Sequence, residues 1–160
     1  MNAIVAVDRN WAIGKDGEQF VYLSQDLQNF KRQTMGHPVI LGRKTLATFP
    51  GGKPLKGRRN LVLSRDPEFR PEGAEVYRDI GSLLAAAPAD SFVIGGGSVY
   101  AALLPYCSTV YVTKLQGEWP ADTWFPRLDR EPGWELVGTS MPMEEKGVVF
   151  TFDVYQREET

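Results

Sequence analysis

One cysteine, Cys107, and one histidine, His37, are all that the 160 residues offer for thiol or imidazole chemistry. They can form neither an internal disulfide nor a zinc-type Cys/His cluster. His37 lies in the turn-like Gly36-His37-Pro38, a poor place to hold a base rigidly, which argues against Ser-His-Asp and Cys-His nucleophiles. Any proton chemistry is therefore expected to rest on a carboxylate or on a cofactor. The carboxylate candidate is Asp26. It falls in the first turn of a helix expected over 24–34, where an acid favours the helix dipole without any function. Asp26, Leu27, Phe30 and Thr34 also recur at three- and four-residue spacing, so the carboxylate shares the apolar stripe of that helix. A half-buried carboxylate needs a partner, and no Lys or Arg lies at helical spacing on that stripe. A cationic or amidine-like ligand is one candidate.

Three strand-to-helix junctions could take the opposite kind of ligand. Ile94-Gly95-Gly96-Gly97-Ser98-Val99-Tyr100 places three glycines between an apolar run and an amphipathic helix. There the backbone can approach a ligand closely, and a helix N-terminus offers free N–H groups to phosphate. It is not a GxGxxG fingerprint, and a tight turn explains glycines too. Leu41-Gly42-Arg43-Lys44-Thr45 puts two cations and a hydroxyl on a helix start, where cations oppose the dipole and an anion relieves the conflict. Leu63-Ser64-Arg65 ends a strand in a hydroxyl and a guanidinium, which beside Arg43 could clamp a phosphate monoester.

The elements that position these residues alternate. Strands are expected over 2–7, 38–41, 60–64, 74–77, 91–94, 109–114, 134–139 and 148–155, and helices over 24–34, 43–48, 79–86 and 98–104. Ser24 reads as an N-cap and Gly36 as a helix stop. The fold class is α/β: a mostly parallel central sheet of about eight strands with helices on both faces and an antiparallel C-terminal edge. Such sheets bind ligands at the carboxyl ends of their strands. The length, the 42% hydrophobic content and the 24% charged content suit a single globular domain over 1–160. No apolar stretch approaches the ~20 residues of a membrane span, and a lone thiol fits a reducing, cytoplasmic setting. The net charge of −2 argues against general nucleic-acid binding. It conceals a basic segment, 43–70, with eight cationic side chains (Arg43, Lys44, Lys53, Lys56, Arg58, Arg59, Arg65, Arg70) against Asp66 and Glu68. A small anion site and a solvated loop are both readings of it.

In order and spacing these segments resemble the dihydrofolate reductase family over roughly 1–157. The carrying motifs are Ile4-Val5-Ala6-Val7-Asp8, Ile13-Gly14-Lys15-Asp16-Gly17, Asp26-Leu27 with Phe30, and Gly42-Arg43-Lys44-Thr45. Then follow Phe49-Pro50-Gly51-Gly52-Lys53-Pro54-Leu55 with Arg58-Arg59-Asn60, Ile94-Gly95-Gly96-Gly97 with Tyr100, Thr113, and Asp122-Thr123-Trp124-Phe125-Pro126. The resemblance implies NADPH-dependent reduction of dihydrofolate. Asp26 would bind the pterin and support protonation of its N5, with Thr113 hydrogen-bonded nearby. Arg58 would hold the carboxylate of the glutamate tail. Ile4, Val5, Ala6, Leu27, Phe30, Phe49, Ile94 and Tyr100 would line the substrate pocket. On the cofactor side, Ala6, Ile13 and Gly14 would meet the nicotinamide end. Lys44, Thr45, Gly95, Gly96, Gly97, Ser98 and Val99, with Ile94, would follow the pyrophosphate. Arg43, Ser64 and Arg65, beside Leu63, would take the 2′-phosphate and so favour NADPH over NADH. The resemblance also implies a cis Gly95-Gly96 peptide and a monomer that binds small molecules.

One segment departs from the family pattern, which usually reads Leu-Pro-Trp after Asp16-Gly17 and carries a proline before the acidic helix turn. This chain has Glu18-Gln19-Phe20-Val21-Tyr22-Leu23-Ser24. Val21 stands at the tryptophan's place without its N–H donor, and a loop without the proline is expected to be looser. Two rival readings remain: a related pteridine or riboflavin-pathway reductase, and a non-catalytic nucleotide-binding module. The four tryptophans, Trp11, Trp119, Trp124 and Trp134, read as packing residues.

Overall fold

The apolar runs fold as short strands and the periodic segments between them as helices. In chain order, the computed structural model shows β1 (Asn2–Val7), β2 (Ala12–Gly14), α1 (Ser24–Thr34), β3 (Val39–Gly42), α2 (Arg43–Ala47), β4 (Asn60–Leu63) and β5 (Glu75–Tyr77). There follow α3 (Ile80–Ala86), β6 (Phe92–Gly95), α4 (Gly97–Leu103), β7 (Thr109–Leu115), β8 (Thr123–Trp124), β9 (Trp134–Thr139), β10 (Met143–Glu145) and β11 (Val148–Arg157). Residues 1–158 are described.

One sheet of nine strands runs in the order β10-β11-β7-β1-β6-β3-β4-β5, with β9 also paired to β11. The six strands from β7 to β5 are parallel, and every pairing of β11 is antiparallel. The alternation of side chains along the strands divides the core in two. Ala3, Val5 and Val7 of β1, with Ile40, Leu61, Val93, Val110 and Val112, face one cluster, closed by Leu83 of α3 and by Val99 and Leu103 of α4. The intervening residues Ile4, Val39, Leu41, Val62 and Phe92 face another, closed by Leu46 of α2 and Phe30 of α1. Helices therefore cover both faces. Each buried aliphatic side chain contributes about 1.5–3 kcal/mol, so a one-residue register slip in any central strand is prohibited.

The long helices and strands lie within a residue or two of their expected bounds. Three short strands were not expected: β2, β8 and β10 are two or three residues long, too short for a period to register. Ser24 is not an N-cap. Leu23 holds that position with extended backbone and no side-chain cap, and Ser24 is the first helical residue.

Candidate functional site

The site begins where two parallel strands separate. The β1–β6 ladder pairs only Asn2 with Phe92 and Ala3 with Val93, whereas β1 stays paired with β7 along its full length. Next to it, the β3–β6 register shifts between Ile40 and Leu41, leaving Ile94 as the extra residue. Beyond Ala3 the sheet is therefore split, which is where ligands bind in open α/β sheets. The buried hydroxyl of Tyr100 donates to the carbonyl of Ile4 at 2.7 Å, giving a partner to a polar group the split leaves without a ladder bond. A cavity of about 1640 Å³ fills the split and spreads to both sides. Sites for one drug-sized ligand span roughly 300–1,000 Å³, so this cavity has room for two.

At one end, Ile4, Val5 and Ala6 form the floor, with Leu27 and Phe30 from α1 and Phe49 and Ile94 opposite. Phe30, Phe49, Leu55 and Ile94 pack on the second core cluster, so this wall is apolar and supported from behind. Leu27 is half-exposed into the cavity rather than packed in the core. Asp26 opens onto the same space. Its partner is neither Lys nor Arg: the buried hydroxyl of Thr113 donates to Asp26 Oδ1 at 2.6 Å. Thr113 lies behind the cavity wall, held there by its pairing with Ala6 in the β1–β7 ladder. Burial raises the proton affinity of Asp26 above the ordinary carboxylate range, the Thr113 hydrogen bond offsets part of that, and the negative charge of Glu145 adds to it.

Arg58 reaches the same end. Its Nε donates to the Lys56 carbonyl at 2.9 Å and one terminal nitrogen to the Thr34 hydroxyl at 3.1 Å, leaving further N–H groups for an anion. Its loop is shaped by Asn60, whose buried amide donates to the carbonyls of Leu55 and Arg58 at 2.9 and 2.8 Å and accepts from Leu55 N at 3.0 Å. In the sequence this role of Asn60 is silent, because an asparagine at a strand start carries no mark of what it folds.

The other end is basic and glycine-lined. Arg43, Lys44 and Thr45 from α2, Leu63, Ser64 and Arg65 after β4, and Gly95, Gly96, Gly97, Ser98 and Val99 at the β6–α4 junction all border it. The Gly95–Gly96 peptide is cis. Neither α2 nor α4 has a side-chain cap, so their first N–H groups remain free for a ligand. The glycines are needed for space: a Cβ on Gly96 would stand 3.1 Å from Thr45 Oγ1, and one on Gly97 would collide with the Thr123 methyl group. Two features of this end escaped the sequence. Asp66 forms an ion pair with Arg43 at 3.4 Å, so one of the expected cations is already partnered. Arg78 gathers the loop after β4, donating to the carbonyls of Ser64, Asp66, Pro67 and Phe69.

Ile13 and Gly14 border the cavity between its two ends, with Gln19, Tyr22, Thr123 and Trp124. Trp124 is thus a wall residue and half-exposed, against the expectation that all four tryptophans are packing residues. Trp11 and Trp134 are buried, and Trp119 stacks on Phe20 with ring centroids 5.5 Å apart. Val21 does not border the cavity. It packs on Leu23, Leu115 and Phe150, so Gln19 and Tyr22 supply the polar groups there. The 15–24 segment is also tied down despite lacking the proline. Lys15 and Glu18 exchange backbone hydrogen bonds, Asp16 N donates to Asp122 Oδ2 at 2.9 Å, and Lys146 Nζ donates to the Tyr22 carbonyl at 2.6 Å. His37 does not border the cavity and pairs with Asp90 at 2.8 Å, and Cys107 is buried. Among the described residues no group of His, Cys, Asp and Glu could hold a metal ion.

Comparisons with known proteins agree with this geometry. The family model described as dihydrofolate reductase matches residues 1–157. A dihydrofolate reductase of Bacillus subtilis is 38% identical over 138 residues, covering 85% of this chain and 80% of its own. A type 3 dihydrofolate reductase of Salmonella typhimurium is 38% identical over 149 residues, 91% of this chain and 90% of its own. Among solved structures, the Enterococcus faecalis dihydrofolate reductase complexed with NADP(H) and RAB-propyl superposes with a TM-score of 0.87 at 32% identity. That alignment covers 99% of this chain and 96% of that one.

Proposed function

Because the chain belongs to the dihydrofolate reductase family, we propose a role in that family's reaction for each part of the cavity. The reaction is NADPH-dependent reduction of 7,8-dihydrofolate to 5,6,7,8-tetrahydrofolate. One observation carries the assignment: a half-buried carboxylate held by a single hydroxyl faces one end of a cavity whose other end is cationic and glycine-lined. Asp26 binds the pterin's amino and ring N–H groups and supports protonation at N5, while Thr113 holds its Oδ1. Ile4, Val5, Ala6, Leu27, Phe30, Phe49, Ile94 and Tyr100 enclose the ring and the benzoyl group, excluding water. Arg58 takes the carboxylate of the glutamate tail with the N–H groups that Lys56 and Thr34 leave free.

The residues present fit a phosphorylated dinucleotide, since two helix starts without side-chain caps and the cations Arg43, Lys44 and Arg65 border the same cavity. NADPH, when bound, supplies the hydride that C6 of dihydrofolate takes up. Ala6, Ile13 and Gly14 would border its nicotinamide. Lys44, Thr45 and the 94–99 junction would hold the pyrophosphate, and Arg43, Leu63, Ser64 and Arg65 the 2′-phosphate end. The protein's contribution is alignment, exclusion of water and one acid.

Loss of NADPH absorbance on adding dihydrofolate is the direct test. Tight NADPH binding without turnover refutes the reading in favour of a non-catalytic module. Turnover of another pteridine or of a riboflavin precursor in place of dihydrofolate favours the related reductases, a reading that Arg58 beside Asp26 opposes. Gly97→Ala is expected to weaken NADPH by about tenfold, which is ~1.4 kcal/mol, while dihydrofolate affinity stays within about twofold. Ligand fluorescence titration reads both, and equal losses contradict the division of the cavity.

The domain reading extends over 1–160, supported by the family match over 1–157. The proposed setting is cytoplasmic and the proposed state a monomer that binds small molecules and no nucleic acid. The near-neutral net charge and the buried lone thiol support this. No helix among the described residues is long and apolar enough to cross a membrane.

A further inference from the structure

Helix α1 carries Asp26 yet starts without a cap of its own, for Leu23 at the N-cap has no side-chain oxygen to offer. The first N–H groups of a helix need acceptors from elsewhere. They find one carboxylate on a distant strand. Glu145 Oε2 accepts from Ser24 N at 2.6 Å, and Oε1 accepts from Gln25 N at 3.1 Å and from the Ser24 hydroxyl at 3.0 Å. A proline before the acidic turn has no N–H and could not make the first of these bonds. The hairpin that delivers the carboxylate is sharply defined. Glu145 pairs with Val148, and the two residues between them, Lys146 and Gly147, have φ of 53° and 75°. Both lie in the left-handed region, as a two-residue type I′ turn requires. Lys146 then reaches the Tyr22 carbonyl, so the hairpin grips the chain on both sides of Leu23.

We propose that Glu145 is a positioning residue for Asp26, closing the first turn of α1 from outside and holding a second negative charge beside the acid. The proposal rests on the reading of Asp26 as the acid that supports N5 protonation. Two carboxylates at one helix end compete for a proton, and their surroundings decide which takes it. Glu145 is partly exposed and accepts hydrogen bonds from Ser24 and Gln25, which lower its proton affinity. Asp26 is half-buried with one donor, and both burial and the Glu145 charge raise its affinity. The other groups facing Asp26 do not reverse this. Thr113 on β7 donates one hydrogen bond, Tyr100 on α4 is buried neutral with its hydroxyl given to Ile4, and Lys31 and Arg58 border the same cavity. The proton therefore goes to Asp26, where the reaction needs it.

The test uses the full-length enzyme with NADPH and dihydrofolate, comparing Glu145→Gln, Glu145→Ala and Asp26→Asn across pH. A rate that needs protonated Asp26 declines as pH rises through the acid's pKa. Removing the Glu145 charge lowers that pKa, so the decline moves to lower pH in both Glu145 variants. At a fixed pH on that limb the rate falls about two- to threefold, the size expected for one partly solvated charge. Loss of the acceptor also speeds hydrogen exchange at the Ser24 and Gln25 amides in Glu145→Ala. An unmoved pH profile in both variants, with a lowered melting temperature alone, overturns the proposal and leaves Glu145 a plain helix cap. Full turnover in Asp26→Asn overturns instead the reading of Asp26.

Discussion

Asp26→Asn is expected to lower dihydrofolate turnover near neutral pH by about 100-fold or more, the scale of a lost general acid, while NADPH affinity stays within about twofold. The two halves of the expectation follow from geometry. Asparagine keeps the shape of the side chain and can accept the Thr113 hydrogen bond made to Asp26 at 2.6 Å, but it cannot cycle a proton. The residues expected to hold the cofactor lie along the other side of the cavity. Stability separates this from a structural role, and its sign can be worked out. Burial raises the pKa of Asp26 in the folded chain above the ordinary value of 3.8. The stability this group contributes is therefore fully present below the unfolded-state value and is lost as pH rises through the raised folded value. A half-buried carboxylate costs stability once it ionises, so above the raised folded value the melting temperature of Asp26→Asn is expected to be unchanged or higher. A variant that is both slower and less stable shows that the carboxylate holds the fold instead.

Arg43→Ala is expected to weaken NADPH by about 10- to 100-fold, the range for a charge-assisted hydrogen bond to phosphate, and NADH by less than about threefold. Only the 2′-phosphate distinguishes the two cofactors, so the ratio of the losses, read by equilibrium titration, is the measurement. The structure adds a partner in the opposite direction. Asp66 lies 3.4 Å from Arg43 and borders the same cavity, where its charge opposes an incoming phosphate. Asp66→Asn is expected to tighten NADPH by a few-fold and to leave NADH unchanged. Equal losses for both cofactors in Arg43→Ala contradict a 2′-phosphate contact at this residue.

The parts of the site that could be read from the chain share one property, namely that local spacing carries them. Gly42-Arg43-Lys44-Thr45 and Gly95-Gly96-Gly97 each join a strand to a helix, so two local periods suffice to aim them at the carboxyl edge of the sheet. Asp26 could be read because its helical neighbours are apolar. Thr113 was legible only through resemblance: on β7 it is one of three polar residues, and what makes it matter is the hydroxyl's contact with α1, 87 positions away. Glu145 had no local signal at all, since it meets Ser24 across 121 positions and sits on a three-residue strand. The looseness expected of the 18–24 segment came from reading proline as its source of rigidity. Tertiary contacts from Asp122 to Asp16 and from Lys146 to Tyr22 fasten the chain on either side of Gln19–Val21 without it.

By itself, then, the sequence determined the class of sheet, the two helices and two glycine junctions that present charge, and the lack of any pair of cysteines or Cys/His cluster. Each depends on the identity of a residue or on a period of two or 3.6, and those are properties of neighbours along the chain. Only the tertiary structure decided that β1 and β6 part after Ala3 to open the cavity, that Thr113 rather than a cation partners Asp26, and that Glu145 closes the helix bearing it. These depend on which strands lie side by side and where a turn releases a side chain. Such choices are set by burial summed over the whole core, to which each residue contributes only a part.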